Sequence, residues 1–154
     1  MDFLLKNTLL SLESDKKVIE LSNPTLTLDG MSIEMAGEYE KWGFLLYVMT
    51  ENEVNYYHFR VEGYWIAYIP SIIHEISSDI LEFLGNIDVL VMPGAKSMQG
   101  VLEKIEPRLL VTYGEGAHEI ATTLGNIEPA VTKYRLKEAD LSNEKAGCVV
   151  MGGE

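Results

Sequence analysis

Three histidines, His58, His74 and His118, bound the metal and acid–base chemistry open to this sequence. No two stand at the i, i+2 or i, i+4 spacing that lets one strand or one helical turn chelate zinc. His58 lies in "VNYYHFRV" between Tyr57 and Phe59, and alternation turns those neighbours inward, which predicts an exposed strand histidine. His118 follows Glu115 by three residues at a helix start, the spacing of an ordinary surface pair. His74, in "PSIIHE", comes just past the C-terminal end of a strand, where open α/β architectures place their sites. Ser71 could be a nucleophile with His74 as its base. No nucleophile elbow surrounds it, however, and a serine after a proline at a strand-to-helix junction also serves as a cap. "MPGAK", residues 92–96, lacks the glycine spacing and the Lys-Ser/Thr ending of a phosphate loop. The lone Cys148, in "GCVVM", reads as a small buried hydrophobe.

The elements that must position these residues change character near residue 70. Up to there apolar and polar residues alternate with the period of a strand: Ile19 and Leu21, Leu26 and Leu28, and Met31, Ile33 and Met35 point one way. Glu20, Thr25, Thr27, Ser32 and Glu34 point the other, so this sheet has a wet face. Phe44 to Thr50 and Val54 to Val61 form a hairpin about Glu51-Asn52-Glu53, and Glu62-Gly63 turns into "YWIAYIP". After Pro70 helix and strand alternate. "EISSDILEFLGN" carries Ile76, Ile80, Leu81 and Leu84 at helical spacing and stops at Gly85. "IDVLVMP" is an unbroken apolar strand, covered on both faces. Ser97 caps a short helix through Glu106, "RLLVTY" is a strand, and "GAHEIATTLG" is a helix closed by Gly125. "TKYRLKEADL" and "GCVVMG" add two short strands. The result is one domain over residues 1–154 of α+β or layered α/β class, with residues 1–70 mostly antiparallel strands and 71–154 alternating.

Composition narrows the partners. The chain has 154 residues, 47% of them apolar, and a net charge of −12 from 24 acids against 12 bases. Between Trp42 and Ala95, Arg60 is the only base among seven acids, which disfavours nucleic acid, whose affinity comes from basic side chains on phosphates. No apolar run approaches the ~20 residues of a membrane span, and "MDFLLKNTLLSLESDKK" has no signal-peptide pattern, so a cytoplasmic location is expected. The aromatics Tyr56, Tyr57, Phe59, Tyr64, Trp65 and Tyr68 have no bases interleaved, and read as sheet packing or a protein contact surface.

Three segments in order carry a resemblance: "MAGEYEKWGF", "VEGYWIAYIPSIIHEISSDILEFLGNIDVLVMPG" and "VLEKIEPRLLVTYGEG". Together they resemble the metallo-β-lactamase fold, in particular its small branch of zinc-dependent hydrolases similar to the ascorbate-phosphate lactonases. The resemblance covers roughly residues 30 to 115 and implies a sandwich of two facing sheets with helices mainly on the C-terminal side. It also implies losses. The family's His-x-His-x-Asp-His signature belongs upstream of "GEYE", where residues 1–36 hold no histidine. Its bridging aspartate falls at Pro70-Ser71, and its last ligand histidine falls at Gly114. Room for the family's first helical layer is missing too, so the fold should be truncated there, with a polar outer sheet face.

On this footing the expected protein is a non-catalytic, metal-free binding or assembly module with no cofactor. It should self-associate, because Leu45, Tyr47 and Met49 oppose Phe44, Leu46 and Val48 with apolar groups on both faces of one strand. Another protein is a further possible partner. The alternative is a degenerate, metal-independent hydrolase that uses Ser71, His74, Tyr113 and Glu115 in the remnant cleft.

Overall fold

A computed structural model describes residues 1–154 apart from 23–24, 29, 42, 142–145 and 153–154, and apart from the side chain of Ser22. The chain opens with nine strands: β1 (Asp2–Lys6), β2 (Leu9–Ser14), β3 (Lys17–Ser22), β4 (Thr25–Leu28), β5 (Met31–Ile33), β6 (Gly37–Lys41), β7 (Phe44–Glu51), β8 (Val54–Val61) and β9 (Tyr64–Tyr68). Helix then alternates with strand: α1 (Ser78–Leu84), β10 (Val89–Pro93), α2 (Gln99–Ile105), β11 (Leu109–Tyr113), α3 (Ala117–Thr123), β12 (Lys133–Arg135) and β13 (Gly147–Met151). Among the described residues no helix is long and apolar enough to cross a membrane.

Two sheets face each other. The first is wholly antiparallel in the order β12-β1-β2-β3-β4-β5. The second runs β13-β11-β10-β9-β8-β7-β6, parallel from β13 to β9 and antiparallel from β9 to β6. Three hairpins turn on two residues, both in the left-handed region: Asp15-Lys16, Asn52-Glu53 and Glu62-Gly63. That geometry matches the right-handed twist of the strands it joins, so register is set locally before the sheets meet.

Alternation then decides burial. Phe3, Leu10, Leu12, Ile19, Leu21, Leu26, Leu28 and Ile33 pack from the first sheet against Leu46, Val48, Tyr57, Phe59, Ile66, Tyr68, Val91 and Val111 of the second. The reverse face of the second sheet offers Ala67, Ile69, Leu90, Met92 and Leu110, which Ile80 and Leu84 of α1, Val101, Leu102 and Ile105 of α2 and Ile120 of α3 cover. Strand β10 is buried on both faces, as its unbroken apolar run requires. The layers are therefore sheet, sheet, helix. Over the outer face of the first sheet no helix lies among the described residues, and there Ser11, Glu20, Thr27 and Ser32 stand opposite one another across β2 to β5. This is the truncated two-sheet sandwich that the resemblance implies.

Three local expectations are corrected. Met31 and Met35 do not join Ile33 in the core and stay 50% and 76% exposed; β5 is a three-residue edge strand, and only Ile33 reaches under the facing sheet. Ser97 caps nothing: it lies in a single 3-10 turn, Lys96–Met98, and α2 starts beyond it at Gln99 without a side-chain cap. The helix expected from Glu75 begins only at Ser78, because Ser77 is its cap; the Ser77 hydroxyl accepts the Ile80 N–H at 3.1 Å and donates to Glu51 at 2.8 Å.

Candidate functional site

The C-terminal ends of the parallel strands β9, β10, β11 and β13 lie side by side and lead into Ile69-Pro70-Ser71, Gly94, Gly114 and Gly152. In sheets of this kind such an edge is where ligands bind. Two glycines hold it tightly. A Cβ on Gly94 would stand 2.5 Å from Ala117 Cα and 2.6 Å from Thr112 Oγ1, while one on Gly116 would press into Gly94 and Ala95. The Gly94 N–H also donates to the Tyr113 carbonyl at 2.8 Å, so the turns leaving β10 and β11 are locked together.

Gly114 has a different constraint. A Cβ there would meet nothing within 4 Å, but the backbone stands at φ +91°, in the region that L side chains rarely adopt. Glycine is needed at this tip because the chain must swing from β11 into α3, not because space is short.

Beneath the tips, between the sheets, stand three tyrosines. Tyr57 and Tyr68 are directly opposite on β8 and β9, and their rings stack with centroids 5.7 Å apart. The Tyr57 hydroxyl donates to the Ile33 carbonyl at 2.6 Å and accepts from Asn55 Nδ2 at 3.3 Å. Tyr68 is fully buried; its hydroxyl and the buried hydroxyl of Tyr113 face each other and have no other protein partner. Burial pushes Tyr113 up to about 12 and Tyr68 higher still, and the neighbouring Tyr113 adds to the shift at Tyr68. All three phenols are neutral near pH 7, so none is an activated base or nucleophile.

The four candidates do not gather in one place. Ser71 is half-buried in a cavity of about 200 Å³ with Thr25, Glu34, Glu53 and Asn55. Tyr113 and Glu115 line another, of about 410 Å³, with Asn7, Thr8, His118 and Met151. His74 is exposed on the connection before α1. His58, expected to be exposed, is half-buried: its ring lies 4.6 Å from that of Trp65, 6.0 Å from Phe83 and 6.3 Å from Tyr47. Alternation had placed it correctly on the outer face; what it could not show was that α1 reaches over that face.

Residues 7–131 match the sequence model of the Beta-lactamase superfamily domain, and the chain belongs to that family. A crystal structure from Thermotoga maritima, of a candidate Zn-dependent hydrolase of the metallo-beta-lactamase superfamily, superposes with a TM-score of 0.78 over 98% of each chain at 15% identity. At that identity the likeness is one of fold. No curated protein matches.

The residues at the tips do not fit the zinc that such a family implies. The tips carry Ser71 and Gly114, neither an anionic nor an imidazole donor, and among the described residues no three His, Cys, Asp or Glu side chains come together to hold a metal. The interior beneath the tips holds neutral phenols instead.

Proposed function

We propose that this chain keeps the metallo-β-lactamase frame without its hydrolytic centre and works as a non-catalytic, metal-free binding or assembly module that self-associates. One observation carries the reading: the strand tips carry Ser71 and Gly114, the positions that the resemblance assigns to metal ligands, and the interior between the sheets is packed with Tyr57, Tyr68 and Tyr113. Zinc needs anionic or imidazole donors, and neutral phenols buried in an apolar core are poor ligands.

Self-association draws support from two surfaces. Strand β6 ends the seven-stranded sheet with one edge unpaired, and Leu45 on the outer face of β7 is 37% exposed. Metal analysis of protein purified without chelator is expected to find no stoichiometric zinc or iron; a bound equivalent would overturn the metal-free part. Light scattering is expected to give a multiple of 17.3 kDa, and a strict monomer at high concentration would remove the assembly part. The competing reading, a metal-independent hydrolase, draws support from the cavity shared by Tyr113, Glu115 and His118. Loss of a measured hydrolytic activity in His118→Ala would promote it.

A further inference from the structure

The seven-stranded sheet is wider than the helical layer that covers it. Register sets His58 of β8 opposite Tyr47 of β7, and Tyr47 opposite Glu38 of β6, so these side chains form one row across the outer face. In the other direction the row continues into Ala67 and Leu90, which the helices bury completely. Phe83 of α1 sits at the boundary, its ring edge-on to His58 at 74°. Beyond it opens a cavity of about 450 Å³ lined by Gly37, Glu38, Tyr47, Val48, His58 and Phe83. Trp65 braces the row from beside, 4.6 Å from His58 and 6.5 Å from Tyr47.

The chemistry of this lining is one-sided. It offers the rings of Tyr47, His58 and Phe83 and one carboxylate, with no lysine or arginine. Burial, only partly offset by the Phe83 carbonyl, holds the His58 imidazole neutral, and its Nε2 is buried without a partner, so the ring is an uncharged wall. Arg60 lies outside the lining, over the Trp65 ring at 5.6 Å. A net charge of −12 repels anions and draws cations toward such a cleft. Aromatic faces attract a cation that has shed its water, and they favour organic ammonium groups, which shed it readily.

We propose that the cavity between Glu38, Tyr47, His58 and Phe83 binds a small organic cation, its alkyl- or methylammonium head against the rings and Glu38 as its counter-charge. The inference rests on the binding role proposed above only in taking the chain for a binding protein. It uses the opposite face of the sheet from the tyrosine-filled interior.

The test is a titration of the full ¹⁵N-labelled chain, at matched ionic strength, with choline and with 3,3-dimethylbutan-1-ol, its uncharged carbon isostere. Chemical shifts of the His58 ring and of the Glu38, Tyr47 and Phe83 amides are followed. Choline should saturate these shifts and bind roughly tenfold more tightly than the alcohol, the size expected of a partly desolvated cation–π contact. Glu38→Gln, at an exposed edge position, should weaken choline several-fold and leave the alcohol unchanged. Equal affinity for the two probes would overturn the proposal, as would saturating shifts confined to other residues or no shift of the His58 ring. The choline-against-alcohol comparison needs no variant and stands whatever the metal analysis finds. A zinc-loaded chain that still prefers choline would refute the metal-free reading alone.

Discussion

Removing one oxygen from each of two stacked tyrosines should cost unequal amounts of stability. In Tyr57→Phe the Ile33 carbonyl, in a residue only 2% exposed, loses the hydroxyl that donates to it at 2.6 Å. A buried acceptor left without its donor costs about 1–3 kcal/mol, and about 2 is expected here, because Asn55 keeps its other contacts to Glu34 and Thr50. In Tyr68→Phe the ring stays in the core and the hydroxyl that leaves faces only that of Tyr113, so the change should stay within about 1 kcal/mol. The two variants then differ by at least about 1 kcal/mol, or roughly 2–4 °C in Tm for a chain of this size. Urea unfolding at constant m, with thermal melts followed by circular dichroism, reads both values. If Tyr68→Phe proves as damaging as Tyr57→Phe, its hydroxyl is satisfied by a bound molecule, and the picture of the strand-tip interior as inert packing is wrong.

Gly94→Ala should cost about 3 kcal/mol, since its methyl meets backbone at Ala117 that no rotamer change can relieve, whereas Gly100→Ala, on α2 with nothing within 4 Å, should gain up to about 1 kcal/mol. Urea midpoints that moved the same way in both variants would refute the lock between the β10 and β11 turns. The imidazole of His58 is pushed below its usual range by burial, so the unfolded chain takes up its proton first as pH falls. Its contribution to stability is therefore present above about pH 6.5 and lost below it, and the fall in Tm from pH 7 to 5 should be steeper in the wild type than in His58→Phe.

Most of the frame was legible because strand register here is encoded locally. The two-residue turns at Asn52-Glu53 and Glu62-Gly63 fix which residues oppose, and alternation then assigns faces, so Leu46, Tyr57, Phe59 and Tyr68 fall inward without any knowledge of the partner sheet. What alternation cannot encode is how far a covering layer extends. Met31 has the same parity as Ile33 yet lies beyond the edge of the facing sheet, and His58 has the parity of an exposed residue yet lies under Phe83. Both misreadings are errors of coverage, not of face. Ser97 failed for another reason: a 3-10 turn spends its first residues before α2 starts, and a capping residue type gives no sign of that delay.

The candidate site was legible mainly as an expected lack of metal donors at Ser71 and Gly114, and the structure adds what surrounds those positions. Restoring a histidine at 114 would place a side chain on a backbone at φ +91°, a strained start for a metal ligand whose geometry must be held closely. Restoring an aspartate at 71 would add a carboxylate beside Glu34 and Glu53, two acids lining the same cavity, with no base among its lining residues. Neither change would move Tyr57, Tyr68 and Tyr113, which belong to or pack against the core between the sheets, or their ring stacking. The acids around position 71, the glycine backbone at 114 and the tyrosine packing are thus three separate obstacles to a metal at one edge. The outer face of the same sheet has none of them: its cavity is bounded by Glu38, Tyr47, His58 and Phe83, a carboxylate and three rings of which only Phe83 packs against the helix-covered core.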